Sequence, residues 1–512
     1  MKKIFNNRYI WFILIALVVT ALLVIFLPES SFARPGGGHG YHGGNRSDRG
    51  GYSGGGGYSG GSDDGGLGAF IVYCLINYPV PTLIVFGILA LFYMVTNKRG
   101  NSYSSQGFSS RPTHQNIINN SSQRQNMLIN LKKSDPNFSV PIFIDYASLL
   151  FTKMHLYIGG DKLKEIQPFF NTTLEKWSNY EISEVVIGSA DISSVSTGYL
   201  SETNQKVSKI VVEFHANYTA KAKANGAVFR CNTVENWQFV RNVGVVSPEP
   251  EGMGVLRCPC CGASAEFTDS GTCKHCGNLI SNTDNVWVVN AVTVVSTERI
   301  KTSDVITYSA EVGTGNATIY DSHLQERAAE FAQTHNNMGY REFEQNIAIP
   351  YFLDIYKLYS SLDWNKARHL LSDRLWQSMN YWIQFCRDFG CRNVLDNVTI
   401  QKVNIVKYES DRFYDSVTVR IFAYCYDYYA DNSGKVIAGD SQHERVFSEY
   451  WTFVSRKGVS LEHKNTSCCP NCGAPADNMG QSGVCGYCGS KITDGYFSWV
   501  LFSITQDEEY AG

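Results

Sequence analysis

The chain has 512 residues, which is too long for one hydrophobic core, so two or more domains are expected. Its formal net charge is −3 and its pI is near 6.4, so it lacks the global basic field that is typical of nucleic-acid-binding proteins. Hydrophobic residues make up 44% of the sequence, which is sufficient for well-packed cores.

Residues 1–33 have the features of a secretory signal peptide. Three basic residues precede an uncharged apolar run over residues 10–27, and Ser31 and Ala33 are the small residues of a cleavage site after Ala33. The apolar run is also just long enough to cross a bilayer, so an uncleaved signal anchor is the alternative.

A second apolar stretch predicts a transmembrane segment. Residues 34–66 are rich in Gly, Ser and Tyr and are expected to form a flexible tract. Residues 67–97 carry no charge, and Pro79 and Pro81 are expected to kink the segment. Basic residues follow it, so the positive-inside rule predicts a cell-membrane protein whose remaining chain faces the cytoplasm. The topology is single-pass after signal cleavage and two-pass without it, and residues 98–138 are predicted to be a polar linker.

Two stretches each contain a pair of Cys-x-x-Cys turns followed by Gly. The cysteines are Cys258, Cys261, Cys273 and Cys276 in the first stretch and Cys469, Cys472, Cys485 and Cys488 in the second. Four thiolates at this spacing can close a tetrahedral shell around one zinc ion, at Zn–S distances of about 2.3 Å. A shell filled by protein is typical of a structural site, whereas a catalytic site keeps a position for water. We therefore predict two structural Zn²⁺ sites, with iron as the alternative metal.

The remaining cysteines favour a reducing compartment. The total of 15 is odd, and clustered Cys-x-x-Cys pairs indicate metal sites rather than a secreted disulfide framework. Cys231, Cys386 and Cys425 lie in apolar surroundings, where a buried reduced thiol is expected. Cys260 and Cys468 adjoin the quartets and are expected to be exposed or packed rather than to bind metal.

The part of the chain after residue 138 contains an internal repeat. The sequence Glu-Asn-Trp237-Gln-Phe-Val corresponds to Glu-Tyr-Trp451-Thr-Phe-Val, and Trp287 corresponds to Trp499. The two offsets are 214 (451 − 237) and 212 (499 − 287). A near-constant offset of this size indicates two homologous, duplicated domains.

Each repeat is predicted to begin with helices and to continue into antiparallel strands. The predicted helical stretches are residues 142–157 and 161–177 in the first repeat, and 352–362 and 363–389 in the second. Alternating β-branched and aromatic residues predict strands at 209–218 and 415–426, and Asp431–Gly434 is predicted to be a hairpin turn. In both repeats the cysteines lie between two Trp-bearing strands. We therefore predict a metal-held knuckle inserted into the last hairpin of an α+β domain.

The order of these parts resembles that of bacterial membrane proteins with a Tim44-like domain, a family named for the membrane tether of the mitochondrial import motor. The resemblance rests on the two Trp-containing strand motifs and covers both repeats. It implies two tandem cone-shaped α+β domains akin to nuclear transport factor two. The expected boundaries are 139–300 with a zinc ribbon at 256–280, a connector at 301–345, and 346–509 with a zinc ribbon at 467–492.

The sequence contains no catalytic constellation, phosphate-binding glycine loop or serine-hydrolase elbow, so we expect no enzymatic activity. The leading hypothesis is a membrane-anchored, cytoplasm-facing scaffold that binds protein partners or the membrane surface, and nucleic acid is not favoured as a partner. The alternative is a carrier or enzyme that uses the concave pocket of each domain for a small apolar ligand. Acid–base candidates for that alternative are Asp145, Glu213 and His215 in the first repeat and Asp354, Tyr424 and Asp427 in the second.

Overall fold

The computed structural model describes most of the chain after residue 113. The described residues are 114–172, 179–247 except 202, 272, 274, 275, 277, 287–300, 311–336 except 312, 339–461, 468–475 and 483–512. Within this part of the chain, no helix combines the length and the apolar character needed to cross a bilayer. The predicted signal peptide, Gly-rich tract and membrane segment lie outside the described residues.

In each of two similar blocks, helices are followed by four strands. The helices are α1 (His114–Ser134), α2 (Val140–Tyr157), α3 (Leu324–Thr334), α4 (Tyr340–Phe343), α5 (Ile349–Ser360) and α6 (Asp373–Asp388). The strands are β1 (Tyr180–Tyr199), β2 (Lys206–Ala222), β3 (Val228–Asn242), β4 (Val288–Arg299), β5 (Cys391–Ser410), β6 (Tyr414–Asp431), β7 (Val436–Arg456) and β8 (Val500–Gln506). We call the block with α2 and β1–β4 the first unit and the block with α3–α6 and β5–β8 the second unit.

Each unit contains one four-stranded antiparallel sheet whose strands are paired in sequence order, β1-β2-β3-β4 and β5-β6-β7-β8. In each sheet the core face carries the Trp of the third strand, and Trp237 and Trp451 are fully buried. Helix α2 packs on the first sheet and helix α5 on the second, which gives each unit its own hydrophobic core. The predicted α+β class with antiparallel sheets is confirmed.

The two units repeat individual contacts as well as topology. The hydroxyl of Tyr146 donates a hydrogen bond of 2.6 Å to the carbonyl of Trp287, and Tyr351 donates one of 2.6 Å to the carbonyl of Trp499. A parallel bridge joins Phe170 to Val289, and Leu371 is bridged to Leu501 in the same way. Each helix is therefore fixed to the start of the last strand at the same point in both units.

The second predicted helical stretch of each repeat differs from the expectation. In the first unit, residues 161–169 form two short 3-10 turns rather than a helix, because Gly160 starts the segment and Pro168 interrupts it. In the second unit, a 3-10 turn at 364–370 is followed by α6. Ser372 caps α6 by accepting a hydrogen bond of 3.4 Å from the backbone N–H of Leu375.

The predicted linkers also contain structure. Helix α1 lies within the predicted polar linker 98–138, and its Leu131 is buried in the core of the first unit. Helix α3 lies within the predicted connector 301–345, and its Phe331 is buried in the core of the second unit. Helix α1 has few apolar residues, so its periodicity is weak, whereas α3 places Leu324, Ala328 and Phe331 on one face against the core.

Helix α6 is shared between the units. It packs against β5 of its own unit and against β1 of the first unit. Its Tyr381, Trp382 and Phe385 form one buried cluster with Val186 of β1. Residues Ile118–Gly512 accordingly fall in one compact part of the structure.

Candidate metal centre

Two tight turns bring four cysteines together after β7. In the first turn, the backbone N–H of Gly473 donates to the carbonyl of Cys469 at 2.9 Å. In the second, the N–H of Gly489 donates to the carbonyl of Cys485 at 2.9 Å. Both glycines have a left-handed backbone, with φ of 75° and 70°, a conformation that glycine adopts without steric cost. This explains the Gly that follows each Cys-x-x-Cys.

The sulfur atoms of Cys469, Cys472, Cys485 and Cys488 all lie within 4.8 Å of one another. Cys469 Sγ is 3.9 Å from Cys488 Sγ, and Cys472 Sγ is 3.8 Å from Cys485 Sγ. A tetrahedral ion with Zn–S bonds of about 2.3 Å would hold its sulfurs about 3.8 Å apart. The donor set and its spacing therefore fit a four-coordinate metal.

Two of the four thiols, those of Cys472 and Cys488, have pKa values shifted in opposite directions. Hydrogen bonds from the hydroxyl and the backbone N–H of Ser490 lower the pKa of the Cys488 thiol to about 6. The backbone N–H of Ala474 acts in the same direction on Cys472, but desolvation and contact with the three other thiols raise the pKa of Cys472 to about 12. A divalent cation at the centre would favour the thiolate form of all four groups.

The cluster is tied to α6 through one carboxylate. Asp373 forms ion pairs with Arg368 and with Lys491, which lies just after the last cysteine. It also accepts a hydrogen bond of 2.7 Å from Thr493. Although burial disfavours its charge, attraction to Arg368 and Lys491 holds the pKa of Asp373 below its usual value. The second cysteine turn is thereby fixed to the amino-terminal end of α6.

Close packing supports the same attachment. Gly483 has φ of +66°, and a Cβ atom there would lie 2.5 Å from Thr493 Oγ1 and 2.7 Å from Arg368 Nη2. Cys469, Cys485 and Ile492 form a small buried cluster under the site. The four cysteines could hold a metal ion, as predicted for this quartet.

Cys468 takes no part in the cluster: it forms a backbone bridge with Pro475. Cys231, Cys386 and Cys425 are buried, as expected. The first predicted quartet, Cys258, Cys261, Cys273 and Cys276, lies outside the described residues. Gly277 next to it is described and has φ of 71°, close to the 70° of the corresponding Gly489.

Sequence reasoning missed a buried carboxylate in each unit. Glu235 is fully buried; it accepts a hydrogen bond of 2.9 Å from Trp237 Nε1 and lies 3.1 Å from His155 Nε2. Burial alone would raise the pKa of Glu235, but attraction to His155 and hydrogen bonds from His155, Trp237 and Thr233 outweigh it and lower that pKa. The repeated Glu-x-Trp motif was the available signal.

The second unit repeats this arrangement with a different helical partner. Glu449 is also fully buried; it accepts hydrogen bonds of 2.9 Å from Trp451 Nε1 and 3.2 Å from the hydroxyl of Tyr356. Tyr356 occupies the place that His155 has in the first unit, because Phe352 and Phe151 precede them by one helical turn and both contact the Trp ring. Both carboxylates are enclosed, so they stabilise the fold rather than face a substrate.

The acid–base candidates do not form a common site. Glu213 and His215 do meet, with 3.0 Å between Glu213 Oε1 and His215 Nε2. Asp427 instead forms an ion pair of 3.1 Å with Arg445 and accepts a hydrogen bond of 2.8 Å from Asn393. Asp427 is thus engaged in a buried structural network.

Comparison with known proteins gives one family match. No curated protein matches the chain. The model of the Tim44-like domain matches residues 325–465, from the second residue of α3 to the segment just after β7. The cysteine cluster follows the matched segment. The match supports the resemblance to the Tim44-like domain family and assigns it to the second unit.

Proposed function

We propose that the protein is a membrane-anchored scaffold whose tandem α+β units face the cytoplasm and bind protein partners or the membrane surface. The observation that carries the proposal is the Tim44-like match over the second unit. The family resemblance implies a tether that links a membrane to other proteins.

The packing of the units favours binding on their outer surfaces. In the first unit, Phe151, His155 and Trp237 fill the space between helix and sheet, and none of the three is exposed to solvent. In the second unit, Phe352 and Trp451 are equally buried. A small apolar ligand would have to displace these rings, so the carrier hypothesis is the weaker one.

The shared helix α6 supports a scaffold role in a second way. Because Trp382 and Phe385 pack in one cluster with Val186 of the first unit, the surfaces of the two units are held in one arrangement. Binding to such a preorganised surface costs little ordering entropy.

The cysteine cluster of the second unit is assigned to zinc, and the first quartet to a second zinc site of the same kind. Cys469 and Cys485 belong to a buried cluster, and Lys491 joins the turn to Asp373. Zinc there would stabilise a short segment that has only a small core of its own. No enzymatic activity is assigned to it.

Two experiments test the proposal. Membranes from cells that produce the intact chain with a reporter after Gly512 are extracted with alkaline carbonate and treated with protease. The protein is expected to remain in the membrane, with the reporter on the cytoplasmic side; release into the soluble fraction or export of the reporter would overturn the topology.

The second experiment separates the scaffold from the carrier. The intact protein is purified in mild detergent, and native mass spectrometry compares its co-purifying proteins with its co-purifying small molecules. The scaffold predicts a specific protein partner. A stoichiometric apolar ligand without any protein partner would favour the carrier.

A further inference from the structure

A cavity with a mixed polar and apolar lining lies between the two units, on the face of the second sheet that is opposite its core. Its volume is about 160 Å³. The first unit contributes Ile144 and Asp191 to the lining, and the second contributes Arg374, Ser416 and Ser503. The cavity exists only because the units pack together, so neither repeat would have it alone.

Arg374 is the main cation of this cavity. It donates a hydrogen bond of 3.1 Å to the carbonyl of Phe502. Among the residues that the structure describes, no carboxylate lies within ion-pair distance of its guanidinium. Burial lowers the pKa of Arg374, and the more distant charges of Asp191 and Asp145 offset this only in part. A partly buried guanidinium without a direct counter-ion favours the binding of an anion.

The neighbouring strands add hydroxyl donors. Ser503 of β8 is paired directly with Thr452 of β7, and Ser416 lies on the adjacent strand β6. The Thr452 hydroxyl is hydrogen-bonded to Thr418 at 3.0 Å. The hydroxyls of Ser416 and Ser503 form no hydrogen bond to any residue in the described part of the chain. Both are therefore free to donate to a ligand.

Three carboxylates also line the cavity, those of Asp191, Glu409 and Asp411, and the last two have partners of their own. Glu409 is ion-paired with Lys407 at 3.3 Å. Asp411 accepts hydrogen bonds of 2.8 Å from the backbone N–H groups of Phe413 and Tyr414.

Two further charges lie at the edges. Lys132 of α1 lines this cavity and a neighbouring one of about 340 Å³, and it supplies a second positive charge. Asp191 is exposed, so water screens its repulsion of an anion more than that of a buried carboxylate.

We propose that this cavity binds a small oxyanion, a carboxylate or a phosphate, between the guanidinium of Arg374 and the hydroxyls of Ser416 and Ser503. A planar guanidinium is suited to bidentate recognition of either group. The cavity volume admits a single such group or a small molecule that carries one.

The test uses the intact purified protein with inorganic phosphate and acetate as probes, and sodium chloride at the same ionic strength as the reference. Dissociation constants are measured by equilibrium dialysis with labelled probe, and unfolding midpoints are compared across the three salts. At least one probe is expected to bind and to raise the midpoint above its value in chloride. Arg374→Gln should abolish this binding, and the double change Ser416→Ala with Ser503→Ala should weaken it about tenfold.

Lys402→Gln is the matched control, because Lys402 is an exposed cation on β5 away from the cavity lining. It should bind the probes like the unchanged protein. Phosphate and acetate together report on the class of oxyanion. The proposal is overturned if neither probe binds, or if the serine double variant binds as tightly as the unchanged protein. The serine variant keeps the test valid if Arg374→Gln fails to fold.

Discussion

The carboxylate of Glu235 lies 3.1 Å from Nε2 of His155, and neither side chain is exposed to solvent. His155 Nδ1 is 2.9 Å from the carbonyl of Phe151, so both ring nitrogens face acceptors. In the second unit, Tyr356 and Glu449 take the same two places. In each unit, a buried carboxylate of the third strand therefore contacts a side chain of the helix that packs on the sheet.

Replacing Glu235 with Gln should destabilise the protein by about 3 kcal/mol at pH 7, because a neutral amide cannot accept hydrogen bonds on both sides from the buried groups of His155, Thr233 and Trp237. The lowered pKa of Glu235 stabilises the fold above the unfolded-state pKa, near 4.5, and this contribution is lost as the pH falls through the folded-state pKa. The difference between the two proteins should therefore shrink below about pH 4.5. Urea unfolding at pH 7 and at pH 3.5 measures it.

Glu444→Gln is the control for this comparison, since Glu444 is exposed. It should change the free energy of unfolding by less than about 0.5 kcal/mol at either pH. A difference between Glu235→Gln and the unchanged protein that stays constant with pH would contradict the assignment of an ionised Glu235.

Asp373 is predicted to hold the cysteine cluster on helix α6. Asp373→Asn should accelerate metal release to a chelator and lower the free energy of unfolding by about 1–3 kcal/mol, because Arg368 and Lys491 lose their shared counter-ion. Asp363→Asn is the matched control. It breaks only a half-exposed ion pair of 3.4 Å with Lys366, and its cost should be below about 1 kcal/mol. Equal release rates in the two variants would show that Asp373 does not support the cluster.

The metal content of the protein checks the cysteine assignments. Elemental analysis of the purified chain should find about two zinc ions per chain, one for each quartet. Cys485→Ser and Cys273→Ser should each remove about one equivalent, whereas Cys425→Ser, a buried thiol outside both quartets, should remove none. If iron is found in place of zinc, the assignment of the metal changes. A metal content near zero would refute both sites.

Trp382 is predicted to couple the two units. Trp382→Ala should destabilise the protein by about 3–5 kcal/mol, because it leaves a cavity in the cluster that joins α6 to β1. Amide hydrogen exchange should accelerate in β1 of the first unit as well as in β5. Phe389→Ala, at the half-exposed end of α6, should have a much smaller effect. Full protection of β1 in the Trp382 variant would contradict the coupling.

Much of the architecture could be predicted because its signals are local. Alternating β-branched and aromatic residues locate β2 and β6, and the Asp431–Gly434 turn is seen with Gly434 at φ of +86°. Strands β1 and β5 were missed, although each has 20 residues. Both contain register shifts and β-bulges, so their polar and apolar residues do not alternate regularly.

The candidate metal centre likewise depends partly on local sequence and partly on contacts between residues that are distant in the sequence. The four cysteines of the second quartet could be predicted because the spacing typical of metal-binding cysteines is visible in the sequence itself. Their attachment through Asp373 could not, since it joins residues more than one hundred positions apart. The pairing of Glu235 with His155 likewise depends on how α2 lies across the sheet.

Photo-crosslinking in native membranes tests the scaffold proposal most directly. A photoreactive residue is placed at the exposed positions Val228 and Tyr487, one in each unit, and at the buried position Val419 as a control. The proposal predicts a discrete adduct with a specific protein from at least one exposed position and none from Val419. The absence of any protein adduct from both exposed positions, together with a stoichiometric small molecule in the purified protein, would contradict it.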